Sequence, residues 1–121
     1  MNLIAHVEIP VTNLDRAIAF YTEVFQIIID EIIEIHGNKM AFFPFDEQKN
    51  GASGALVMGE VYVPTIKGAI VYFSVKDIDD TLTKAVACGS DILFPKTSIG
   101  EQGFVAEIKD SEGNRIALIS N

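Results

Sequence analysis

The sequence predicts an α+β fold: two tandem βαβββ modules forming curved mixed sheets around a cleft. The main observation is a repeat. Asn2–Pro10 followed by Val11–Phe25 returns as Gly68–Val75 followed by Lys76–Cys88, and the copies align without a gap at an offset of 64. His6 then falls opposite Ile70, Glu8 opposite Tyr72, Leu14 opposite Ile78 and Ile18 opposite Leu82. A second observation is the change of period within each copy, from alternation at every second residue to an apolar stripe at helical spacing. The third is the succession of short β-rich runs, separated by polar turns, after each helix.

Residues 2–9 alternate, with Leu3, Ala5, Val7 and Ile9 on one face and Asn2, Ile4, His6 and Glu8 on the other. Pro10 ends this strand, because it has no N–H to give to a ladder. Thr12 or Asn13 caps the following helix, assisted by Asp15. The helical stripe Leu14, Ala17, Ile18, Tyr21, Val24 and Phe25 docks on the apolar strand face and leaves His6 and Glu8 pointing away from the helix. Ile27–Ile35 is β-branched and reads as a strand. A turn at His36–Lys39 leads into a strand at Met40–Phe45, then a polar loop, then a short strand at Gly54–Gly59. Glu60–Lys67 joins the halves.

In the second half, Ala69, Val71, Phe73 and Val75 form the helix-packing face, with Ile70, Tyr72 and Ser74 opposite. Asp77 caps a helix with the stripe Ile78, Leu82, Ala85 and Val86, and Gly89 stops it. A strand at Asp91–Phe94 closes at Pro95. Gly103–Lys109 and Arg115–Ser120 form a hairpin. The whole is one domain, 1–121, with module one at about 1–60 and module two at about 68–121.

With 121 residues and 49% hydrophobic content, the chain can bury a core without staples. The net charge of −8 and the lack of a basic run exclude nucleic acid as a partner and favour a cationic or neutral small ligand. Cys88 is the sole cysteine, which rules out an intrachain disulfide and a thiolate metal cluster. It reads as a small buried or half-buried apolar residue. No signal segment or membrane span is visible, so no membrane partner and a cytoplasmic location are expected. The Gly51–Gly54 run lacks the lysine and the strand-to-helix context of a phosphate loop and reads as a flexible turn. No nucleophilic triad is marked by a local motif around Ser74, Ser98 or His6.

The segments HVEIPVTNLDRAIAFYTEVF, GAIVYFSVKDIDDTLTKAVACG and KDSEGNRIALIS resemble the vicinal-oxygen-chelate superfamily, which includes glyoxalase I, bleomycin-resistance proteins and extradiol dioxygenases. The resemblance covers essentially the whole chain. It implies paired βαβββ modules around a cleft, and a homodimer. Glyoxalase-like members hold a divalent metal with a His or Gln in the first strand of each module and a Glu in the last strand of each. His6 matches one of these positions. Ile70 and Ala117 replace two others, and the fourth falls around Met58, with Glu60 as a substitute. A catalytic ion needs about three protein ligands, so no metal or other cofactor is expected. An alternative set of ligands is His6, Glu8, Glu60 and Glu107.

The expected site is therefore a cleft lined by His6, Glu8, Met58, Tyr72 and Glu107, with Glu8 and His6 as the acid/base candidates. A carboxylate on a partly apolar face is a candidate general base, and a neutral imidazole exchanges protons near neutral pH. Tyr72 would supply an aromatic wall with a polar tip. Two function classes are open. One is a metal-free small-molecule-binding protein of the bleomycin-resistance kind. The other is an enzyme: a metal-dependent lyase or isomerase of the glyoxalase I kind, or a metal-independent acid–base enzyme using His6 and Glu8.

Overall fold

The computed structural model describes residues 2–29 and 31–121. Its order is β1 (His6–Pro10), α1 (Leu14–Phe25), β2 (Ile32–Ile35), β3 (Asn38–Phe42), β4 (Ser53–Met58), β5 (Val71–Ser74), α2 (Ile78–Ala87), β6 (Ile92–Ser98), a 3-10 turn at Gly100–Gln102, β7 (Phe104–Lys109) and β8 (Arg115–Ser120). Two four-stranded mixed sheets result, β1-β4-β3-β2 and β5-β8-β7-β6. In each, the first strand runs parallel to the last strand of its own module. The remaining pairs are antiparallel. The expected pair of βαβββ modules is thus present, as two open sheets.

Asn13 is the α1 cap: its side chain accepts from the Arg16 N–H. Asp77 does the same for α2 through the Asp80 N–H. Leu14, Ala17, Phe20, Tyr21 and Val24 are the buried residues of α1. Phe20 lies outside the expected stripe, and it widens the apolar face beyond a single row. On α2, Ile78, Thr81 and Ala85 are buried, whereas Val86 is exposed. Cys88 caps the end of α2 and is exposed, contrary to the buried or half-buried position expected of it.

Strand boundaries move where a strand lacks a neighbour. Leu3 and Ala5 lie before β1, and Leu3 is exposed, since β4 offers partners only from His6 onward. Among the described residues of the expected Ile27–Ile35 strand, only Ile32–Ile35 finds a ladder, opposite Asn38–Ala41. Asp30, within that expected strand, lies outside the described residues. Pro95 does not close β6. The strand runs through it to Ser98 with register shifts between Ile92 and Phe94 and between Phe94 and Thr97, which an edge strand tolerates because its outer N–H groups need no partner.

The helix-side faces of both sheets meet in one core. Ile9, Ala41 and Leu56 of module one and Ile78, Ala106, Ile108, Ile116 and Leu118 of module two belong to a single buried cluster. Phe73 of β5 seals the joint. Its ring lies 4.7 Å from that of Phe25, 5.7 Å from Phe43 and 5.8 Å from Tyr21. Phe73→Ala removes the aromatic side chain at which the modules meet, and it is expected to cost about 3 kcal/mol in urea unfolding. A cost below about 1 kcal/mol would show that the modules do not depend on this contact.

Candidate functional site

Register decides which side chains share a face. His6 pairs with Ser53 and Glu8 with Ala55 across β1–β4, and Ala55 pairs with Phe42 across β3–β4. His6, Glu8, Ser53, Ala55 and Phe42 therefore stand on the face of sheet one that α1 does not cover. In sheet two, Tyr72 pairs with Ala117, Ala117 with Glu107, and Glu107 with Phe94. These four form the matching uncovered face. Because the helix-side faces share one core, both uncovered faces look outward.

On the first face the polar side chains form a chain of contacts. His6 Nδ1 lies 2.7 Å from Ser53 Oγ. His6 Nε2 lies 4.0 Å from Glu8 Oε2, with the two side chains 36% and 33% exposed. The Tyr62 hydroxyl donates to Glu8 Oε1 at 2.8 Å, and this bond raises the Tyr62 pKa above its ordinary value, with smaller contributions from burial and the carboxylate charge. The Phe42 ring lies 6.3 Å from the imidazole.

On the second face, Glu107 accepts from Arg115 Nη1 at 2.9 Å in a mostly buried ion pair. Tyr72 is 50% exposed. Between the free edges of β1 and β5 lies an open groove of about 1080 Å³, and its floor includes Phe25, Phe43 and Phe73. Ser53, Ile70 and Tyr72 also line it. Gly54 helps to shape that floor: a Cβ there would stand 3.0 Å from the Phe43 ring, so glycine lets the ring lie close against β4.

Of the five residues expected to line one cleft, the structure brings His6 and Glu8 together on one face and Tyr72 and Glu107 together on the other. Met58 belongs to neither. It lies two residues beyond Leu56 on the helix side of β4 and packs on the core. The β4 register also settles the uncertain fourth ligand position. Ala55 stands opposite Glu8 as Ala117 stands opposite Tyr72, and both alanines are fully buried. Glu60 follows in the turn after β4. The four equivalent positions thus hold His6, Ile70, Ala55 and Ala117, a set with one donor side chain, which does not fit a divalent ion needing about three. Among the described residues, no group of three or more His, Cys, Asp or Glu side chains converges.

Sequence reasoning missed Ser53, Tyr62 and Arg115. Nothing in local spacing marks them. Ser53 meets His6 only through the parallel β1–β4 pairing, and Tyr62 reaches Glu8 from the linker. The closing loop was also missed as a structural device. Glu112 Oε1 accepts from the Thr12 and Asn13 N–H groups, the Thr12 hydroxyl and Arg16 Nη2, while Oε2 accepts from Arg16 Nε. A carboxylate of module two therefore holds the start of α1 in module one. Asn114 Nδ2 donates to the Pro10 carbonyl and Tyr21 donates to Asp110, so the same loop also fixes the end of β1, four residues from His6.

Comparison with known proteins agrees with this architecture. Residues 3–118 match the Glyoxalase/Bleomycin resistance protein/Dioxygenase superfamily profile. No curated protein matches the chain by sequence. Among solved structures, a glyoxalase I variant from Zea mays superposes with a TM-score of 0.71 at 14% identity, covering 96% of this chain and 45% of that one. The present chain therefore spans less than half of the maize protein. A glyoxalase-related enzyme from Fulvimarina pelagi gives 0.70 at 16% identity, with 100% and 89% coverage. An antibiotic-binding protein from Streptomyces sp. CB03234 gives 0.67 at 18% identity, with 99% and 96% coverage. These likenesses are of fold. Among the described residues, no helix is long and apolar enough to cross a membrane. With all but a few terminal residues matched by the profile, the chain belongs to the Glyoxalase/Bleomycin resistance protein/Dioxygenase superfamily.

Proposed function

We propose that this protein binds a small, partly aromatic, cationic or neutral molecule against the His6–Glu8 face, without a catalytic metal. The observation that carries the reading is the side-chain chemistry of that face. His6, Glu8, Ser53 and Tyr62 form a connected polar array beside an apolar groove, while the positions that would complete a metal site are Ile70, Ala55 and Ala117. Such a pairing of apolar walls with a few fixed polar groups suits small-molecule recognition. An antibiotic-binding protein of nearly equal length shares the fold, so the fold can serve a binding role.

The second wall of the site comes from a second copy in this reading. A two-fold dimer sets the His6–Glu8 face of one protomer against the Tyr72–Glu107 face of its partner, and does so twice. The exposed Ile70, Tyr72 and Phe94 then become buried walls. Met58 takes no part in the site, since it lies on the helix side.

Calorimetric titration with a panel of flat cationic and neutral aromatic compounds tests this reading. Glu8→Gln is expected to weaken binding of a cationic ligand about tenfold or more, whereas Glu107→Gln has a smaller effect because Arg115 already balances that charge. Unchanged affinity in both variants would overturn the proposed site.

A further inference from the structure

We propose that Ser53 is a nucleophile: its hydroxyl, activated by His6, accepts an acyl group from an ester or thioester whose apolar chain lies in the groove between β1 and β5. This goes beyond reversible binding and does not depend on it.

Glu8 Oε2 lies 4.0 Å from His6 Nε2, beyond hydrogen-bond reach, and its negative charge favours the tautomer with the ring proton on the Nε2 side. Nδ1 is then the bare acceptor, and it lies 2.7 Å from Ser53 Oγ. The hydroxyl has one other acceptor, the Ala5 carbonyl at 3.2 Å, and the shorter contact favours the imidazole. Glu8 is itself held by the Tyr62 hydroxyl at 2.8 Å. The series nucleophile, imidazole, carboxylate and a group fixing the carboxylate is the arrangement that activates a serine, recognised by geometry rather than by order in the chain. Here the two ring nitrogens exchange roles, which leaves the proton count unchanged.

Ser53 is also where this polar row meets the apolar groove. Gly51, Ala52, Ser53 and Gly54 line one end of it, and Phe25, Phe43 and Phe73 its floor. The backbone N–H groups of Gly51 and Ala52 donate to no protein acceptor among the described residues, so the loop before Ser53 has free donors for an oxyanion.

In the proposed step, Ser53 Oγ forms a bond to the acyl carbon while its proton passes to His6 Nδ1. The tetrahedral adduct collapses, the C–O or C–S bond to the leaving group breaks, and the alkoxide or thiolate takes the proton from His6. Water, deprotonated by the same nitrogen, then releases the carboxylic acid and restores Ser53. Ser53 and His6 act as catalytic residues. Glu8 and Tyr62 are positioning residues.

The test uses an alkyl fluorophosphonate with intact-mass detection, and p-nitrophenyl acetate and octanoate as substrates. Expected results are one adduct, mapped to Ser53 and absent from a folded Ser53→Ala variant, and turnover of octanoate over acetate by about tenfold or more. Glu8→Gln lowers kcat by about tenfold or more with KM nearly unchanged, and Ile70→Glu abolishes the chain-length preference. No adduct on the folded protein, an adduct that survives Ser53→Ala, or ester turnover unchanged in that variant would overturn the proposal. Parent protein that binds the titrated aromatic compounds but forms no adduct would overturn this proposal alone, whereas the binding reading fails only if the ligand titrations fail.

Discussion

Asp110→Ala is expected to destabilise the protein by about 3 kcal/mol or more. The side chain is 5% exposed and serves four donors at once. It accepts from the Tyr21 hydroxyl at 2.6 Å, the Glu112 N–H at 2.8 Å, and the Asn114 N–H and Nδ2, both at 2.9 Å. Alanine leaves these donors without acceptors inside the protein, and an unpaired buried donor costs more than the bond was worth. Burial, followed by the nearby Asp110 charge and hydrogen bond, raises the Tyr21 phenol well above its ordinary pKa, so the hydroxyl stays protonated and donating. Tyr21→Phe should cost less, about 1 kcal/mol, because only one bond is lost and the ring packing is kept. Urea unfolding of the three proteins measures both. Equal midpoints for Asp110→Ala and the parent would show that the closing loop is not a structural clamp.

A second large effect is an acid transition that depends on Glu112. Burial raises its pKa, but hydrogen bonds from Arg16, the Asn13 N–H, Ser111 and the Thr12 N–H outweigh this and hold it at about 2, against an ordinary 4.5. A group whose folded-state pKa is depressed stabilises the fold fully above its unfolded value. That stabilisation is lost as pH falls through the folded value. The Glu112 side chain is shielded from solvent, but its Arg16 partner is half exposed, so solvent screening takes away part of the gain. Glu112 therefore contributes on the order of 2 kcal/mol above about pH 4.5, lost progressively as the pH falls towards 2. Glu112→Gln is expected to lower stability at neutral pH and to flatten the stability profile between those pH values. The measurement is urea unfolding at a series of pH values. An unchanged acid slope in the variant would assign the transition to other carboxylates. The consequence reaches the site, because Glu112 and Asn114 fix the chain on both sides of the β1–α1 turn.

These two residues also mark the limit of what could be read from the sequence. The repeat, both helices and the β8 bounds were legible because each is written locally, in a period of two or 3.6 and in caps such as Asn13 and Asp77. That His6 and Glu8 point away from α1 was legible for the same reason; that their face looks outward, not into a cleft between the modules, follows from the shared core. Glu112 was not, since its partners lie about a hundred residues away and nothing near it signals them. Ser53 beside His6 required knowing that β1 pairs with β4 in parallel, and in which register. A slip of one residue would have put Ser53 on the opposite face. Met58 shows that error in practice, as a register judged only approximately placed a core methionine in the site. Leu3 and Val86 fit the apolar patterns yet remain exposed, because pattern specifies a face and tertiary contact decides whether anything covers it.

In the proposed function, the His6 face recognises its ligand with side chains alone. Metal content of the purified protein, measured after incubation with nickel, zinc, iron and manganese and then desalting, bears on this without intermediate steps. The expected result is no stoichiometric metal in either the parent protein or His6→Ala, and ligand affinity unchanged by a chelator. One equivalent of tightly held divalent ion, lost in His6→Ala, would contradict the metal-free reading.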